Sequence, residues 1–116
     1  MIGRVSLFAA VVASVVPHAT AGELRVGAAS VAITPEVGTP MAGYFTRRDA
    51  EGVHDDLYAK AVVLEQDGTK AAMVALDVIS TPRDLVEAAR AEIGRLTGER
   101  GEDVLISATH AHTRPI

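Results

Sequence analysis

The chain of 116 residues has room for one small domain. Its 15 Asp and Glu outnumber 11 Lys and Arg for a formal charge of −4; this balance argues against nucleic acid as a partner, and no basic run marks an electrostatic membrane patch. Cysteine is absent and aromatic residues make up 3%, so no disulfide braces an exported form and little material exists for a stacking platform.

Residues 1–21 read as a secretory signal peptide. Arg4 supplies the leading charge, Val5 to Val16 is apolar apart from Ser6 and Ser14, and Ala19-Thr20-Ala21 is a small-residue cleavage site. A spanning helix needs about 20 apolar residues. Pro17 and His18 end this run sooner, so no transmembrane anchor is expected after cleavage. The pattern predicts a secreted or periplasmic product, residues 22–116, with a modest core that buries roughly 60–65% of the unfolded surface.

Leu24 to Thr34 is rich in Val, Ile and Ala and predicts a first strand, closed by Pro35 and Gly38. Pro35 to Gly52 is a long glycine-punctuated stretch, a length that points to a working loop. Leu57–Glu65 and Lys70–Ile79 are apolar segments joined by Gln66-Asp67-Gly68-Thr69, and Asp-Gly between such runs predicts a hairpin. A helix follows over about 82–97. Thr81 is its expected N-cap, Pro82 its first residue and Asp84 its third; Leu85, Ala89, Ile93 and Leu96 form one apolar stripe, and Gly98 ends it. The last strand is Asp103–Ala108.

The expected fold class is therefore α/β: a mixed sheet in which a β-hairpin is followed by a βαβ unit. A right-handed crossover makes the final pair of strands parallel, and ligands gather at the carboxyl ends of such strands. Asp77 and the segment Thr109-His110-Ala111-His112 fall on that edge. Because alternate strand residues share a face, His110 and His112 are expected to project together. Neutral imidazole is a common zinc ligand, and a zinc site takes three or four protein ligands, so this pair is at most part of one.

Other residues leave two readings open. Asp77 either holds a neighbouring backbone amide or orients an imidazole. His54-Asp55 is either a second metal pair or a hydrogen-bonded histidine beside a strand. Gly43 and Tyr44 are candidates for the mouth of a pocket, and Arg47-Arg48 reads as a solvated loop.

Four ordered blocks carry a resemblance. Val26-Gly27-Ala28-Ala29-Ser30-Val31-Ala32-Ile33-Thr34-Pro35, Gly38-Thr39-Pro40-Met41-Ala42-Gly43-Tyr44, Gly52-Val53-His54-Asp55-Asp56-Leu57-Tyr58-Ala59-Lys60-Ala61-Val62-Val63-Leu64 and Ile106-Ser107-Ala108-Thr109-His110-Ala111-His112 resemble the N-terminal segment of the neutral/alkaline non-lysosomal ceramidase family. The resemblance implies an incomplete part of a larger ceramidase-type domain in a secreted zinc amidohydrolase. Such enzymes hydrolyse the N-acyl bond of ceramide to sphingosine and a fatty acid. It implies that His110 is a zinc ligand and that His112, beside the metal and the lipid substrate, is catalytic. The family's other ligands, a histidine, a glutamate and a tyrosine, come from later in its chain, so this segment is expected to be inactive alone.

Three departures stand out. Ala111 replaces a threonine, Asp56 a common proline, and Arg114 a glycine in the turn after the second histidine. A single inserted base turns Thr-Gly-Pro codons into Thr-Arg-Pro, the residues at 113–115; a genuine substitution is the alternative. A metallo-β-lactamase-like hydrolase also places His-x-His after a strand, but that motif continues x-Asp-His, against Thr113-Arg114-Pro115 here. A small exported binding or structural module without catalysis is the reading from outside enzymology.

Overall fold

The computed structural model describes residues 22–112 and Pro115. The expected signal peptide lies outside the described residues, as does Arg114. Residues 22–112 make a four-stranded sheet, a two-stranded ribbon and one α-helix.

The hairpin is built as its sequence requires. β4 (Tyr58–Gln66) and β5 (Thr69–Leu76) pair antiparallel from Ala59↔Leu76 to Gln66↔Thr69. Asp67 and Gly68 turn the chain with φ of 51° and 77°, the left-handed pair that a two-residue type I′ turn demands. β1 (Arg25–Ala32) adds to the other side of β4, antiparallel, from Arg25↔Glu65 to Ala32↔Tyr58. β6 (Val104–Ala108) closes the sheet parallel to β5, giving the order β1-β4-β5-β6. The expected mixed α/β sheet with a hairpin and a βαβ unit is thus present.

The stretch 33–57 is less irregular than its glycines suggest. β2 (Pro40–Met41) and β3 (Arg48–Asp49) form a short antiparallel ribbon. It is tied by Gly38 N–H to the Ala50 carbonyl at 2.7 Å and Ala50 N–H to the Thr39 carbonyl at 2.9 Å. Thr34 Oγ1 anchors the return of the loop: it accepts from Leu57 N–H at 2.9 Å and donates to Asp56 Oδ1 at 2.7 Å.

The crossover helix α1 (Arg83–Thr97) corrects two expectations. Thr81 does not cap it. Pro82, extended at ψ 151°, occupies the N-cap, no side chain caps the first turn, and Asp84 moves one place nearer the start. The stop at Gly98 holds, with φ 78° and its N–H donating to the Gly94 carbonyl at 2.9 Å.

The packed face is also turned from the expected stripe. Leu85 and Leu96 are 49% and 66% exposed, whereas Val86, Ala89, Arg90 and Ile93 are half-buried. Arg90 shows why. Its Nε donates to the Val104 carbonyl at 2.9 Å, and a Cβ on Gly101 would lie 3.1 Å from Arg90 Cβ. A 3₁₀ turn (Gly101–Asp103) absent from the expectation brings the chain that close and sets Arg90 on the packed side.

In-register partners share a sheet face. Ala72, Val74, Val104 and Ile106 lie on the covered side under the helix; Val104 is 1% exposed, and with Leu57 it is the buried apolar core among the described residues. The opposite face carries Val26, Val62, Leu64, Met73 and Leu105, of which Val26, Met73 and Leu105 are exposed. No helix among the described residues is long and apolar enough to cross a membrane.

Candidate functional site at the carboxyl edge of the parallel strands

β5 and β6 end side by side at Leu76 and Ala108, and the segments that leave them form the site. Asp77 stitches the edge together. Its N–H donates to the Tyr58 carbonyl, its Oδ2 accepts from Tyr58 N–H, both at 3.0 Å, and its Oδ1 accepts from Thr109 Oγ1 at 3.3 Å. Thr109 N–H donates to the Leu76 carbonyl at 2.9 Å. Of the two readings for Asp77, the geometry matches the first: its carboxylate holds a backbone amide and the threonine before His110.

The histidines meet by a different route from strand alternation. β6 ends at Ala108, and His110 has a φ of 55°. A left-handed residue with a Cβ costs about 1–2 kcal/mol, and such residues cluster where side chains must be aimed. The turn nevertheless brings the rings together, with centroids 5.7 Å apart and planes at 81°.

Each ring is held by a backbone carbonyl. His110 Nδ1 lies 2.9 Å from the Ile79 oxygen and His112 Nδ1 3.1 Å from the Gly43 oxygen. Gly43 has φ 88°, and a Cβ there would run into the His112 ring, 2.6 Å from Cγ. Glycine is needed at this place both for its backbone and for the space it leaves. The adjacent Tyr44 lies under Arg48, whose Cζ is 4.5 Å from the ring centroid.

The remaining candidates stay apart from this pair. His54 is 97% exposed, and its Nδ1 meets Asp55 Oδ2 at 2.6 Å, a solvated pair. It lines a separate cleft of about 300 Å³ with Thr34, Met41, Leu57 and Pro115. Arg47 is exposed and bonds Asp49 at 3.0 Å. Among the described residues no three His, Cys, Asp or Glu side chains gather into a metal-binding group. His110 and His112 thus offer two nitrogen donors, fewer than a zinc site takes.

Sequence pattern found the histidines and pointed to Gly43, but missed what they do to one another. The carbonyls of Gly43 and Ile79 belong to the backbone and leave no side-chain signal. The one legible trace was Gly43 beside Tyr44, marked as a candidate for the mouth of a pocket.

The fold and site define an α/β sheet whose parallel-strand edge presents paired imidazoles. Solved ceramidases share that fold. The chain is similar to the crystal structure of neutral ceramidase from Pseudomonas aeruginosa, with a TM-score of 0.74 and 26% identity over 82% of this chain and 16% of that one. It is also similar to a ceramidase complexed with C2, at a TM-score of 0.72 and 23% identity with the same coverage. The chain spans about a sixth of the length of these structures. No protein-family model and no curated protein matches it. The similarity supports the resemblance seen in the sequence: this is a neutral-ceramidase-like chain in fold.

Proposed function

We propose that this chain provides the His-x-His part of the active site of a zinc-dependent amidohydrolase of the neutral-ceramidase kind. The observation that carries the reading is the pair of imidazoles, 5.7 Å apart, on the carboxyl edge of a ceramidase-like sheet. In this reading His110 is a zinc ligand, His112 works beside the metal, and the substrate is a ceramide-like lipid amide. The His110 imidazole fits the nitrogen chemistry of a zinc site with His112 next to it, and the ligands beyond His110 come from outside the described residues.

Bound zinc would lower the pKa of a water to about 7 and polarise the amide carbonyl. The chain's own part is positional. Asp77 and Thr109 fix the start of the histidine turn, the Ile79 carbonyl fixes the His110 ring, and Gly43 seats His112. His112 can pass a proton to the leaving amine or hydrogen-bond the developing oxyanion. Two donors alone hold zinc weakly, so the segment by itself is inactive. Residues 1–21 direct the product to the periplasm or the exterior, and mass spectrometry of exported material is expected to find Gly22 at its start; an intact Met1 would contradict this.

A chimera tests the catalytic reading. Residues 25–112 replace the matching segment of the Pseudomonas aeruginosa enzyme. The folded chimera is expected to retain zinc and hydrolyse a fluorescent ceramide, with His110→Ala losing both and His112→Ala losing turnover with most of the zinc kept. A folded chimera without zinc would overturn the assignment and favour a non-catalytic module.

A further inference from the structure

We propose that the backbone sets both imidazoles in one tautomer before any metal arrives: the proton on Nδ1 and the lone pair on Nε2, with Gly43 as the positioning residue for His112. A carbonyl oxygen only accepts hydrogen bonds. Nδ1 of His110 faces the Ile79 oxygen at 2.9 Å, and Nδ1 of His112 faces the Gly43 oxygen at 3.1 Å. Each Nδ1 must therefore carry a proton, and in the neutral ring Nε2 is left as the basic atom. Free histidine in water favours the opposite tautomer, with the proton on Nε2. The two carbonyls reverse that preference.

The same contacts fix where the lone pairs point. The His110 ring is aimed by a left-handed turn that Asp77 and Thr109 hold. The His112 ring lies against the bare Cα of Gly43, whose φ of 88° turns its carbonyl to the ring. A side chain at position 43 would strike the ring and disfavour the backbone that presents the acceptor. Gly43 thus does two things for one imidazole: it makes room and supplies the hydrogen bond. Carbonyl-backed histidines of this kind are oriented metal ligands and bases, and loss of such an outer contact costs about 10–100-fold in metal affinity. The inference deepens the zinc reading, yet the tautomer can be measured without zinc.

The experiment is long-range nitrogen–proton correlation NMR on the full chain, ¹⁵N-labelled at histidine, zinc-free and at about pH 8, above the ordinary histidine pKa of about 6.5. Histidine-to-Gln variants assign the rings. His110 and His112 are expected to show a protonated Nδ1 and an unprotonated Nε2. Gly43→Ala is expected to return His112 toward the Nε2-protonated form and leave His110 unchanged. Nε2-protonated rings at 110 and 112 in the unaltered chain would overturn the proposal without recourse to any variant, and an unchanged His112 in a folded Gly43→Ala protein would overturn the role of Gly43. Zinc is then added. Protonated Nδ1 atoms with Nε2 signals that ignore zinc would uphold this inference while refuting the zinc reading; zinc-dependent movement of both Nε2 signals supports the two together.

Discussion

His110 combines a left-handed backbone with a side chain that the site needs. If the turn is held against its own preference, glycine should suit position 110 better than alanine. His110→Gly is expected to be more stable than His110→Ala by about 1 kcal/mol in urea unfolding, although both lose the imidazole. Equal stabilities would mean that the left-handed turn is not kept. This residue shows both the reach and the limit of the sequence. The spacing His110-Ala111-His112 after an apolar run placed two imidazoles on one edge. It did so on the premise of a strand continuing to His112, whereas the strand ends at Ala108 and a turn does the work. The carbonyl partners at Ile79 and Gly43 were not legible, because any residue offers the same oxygen and only the fold decides which one lies 3 Å away.

The hairpin and the helix differ in how far local chemistry governs them. Asp67-Gly68 strongly favours a two-residue turn, and the strands around it match the expected segments except that β5 ends at Leu76, short of Ile79. For α1 the ends were legible to within a residue, but the packed face was not, because the close approach of Gly101 to Arg90 is a tertiary event. Thr81 makes no cap hydrogen bond, so Thr81→Ala is expected to leave stability nearly unchanged. A loss of about 1 kcal/mol, the usual value of an N-cap, would contradict the observed start of the helix. Farther along, hydrogen bonding from Arg95 holds the Glu92 carboxyl below the usual carboxylate range. A carboxylate whose pKa falls on folding stabilises above its unfolded value and loses that contribution as pH falls through the folded one. Helix content followed by circular dichroism should therefore decline on acidification below about pH 4.5, by a small amount for so exposed a pair. Glu92→Gln is expected to flatten that part of the profile, and an unchanged profile would count against the pair.

Among the described residues, one helix covers one side of a sheet that is apolar on both. Val26, Met73 and Leu105 lie exposed on the open face, and Val31 and Val63 lie exposed on the covered side. β4 is internal to the sheet, so 60–64 exposes its face rather than its bonding groups, while β6 is an edge among the described residues. Contiguous apolar surface of this kind drives association. Residues 22–116 are expected to elute above monomer mass at micromolar concentration and to bind a hydrophobic dye, and a sharply melting monomer would contradict that. The composition announced a modest core but not how little of it this sheet would enclose, since alternation reports which residues share a face and not what covers them. In the proposed zinc reading His110 is a ligand and His112 stands beside the metal, both rings arranged before the metal arrives. Zinc titration of the ¹⁵N-histidine-labelled chain tests it most directly. Weak, reversible shifts of the Nε2 signals of both His110 and His112 are expected, with His112 unmoved in His110→Ala and His54 unaffected throughout. Zinc that perturbs only His54, or leaves both site histidines unmoved at millimolar concentration, would contradict it.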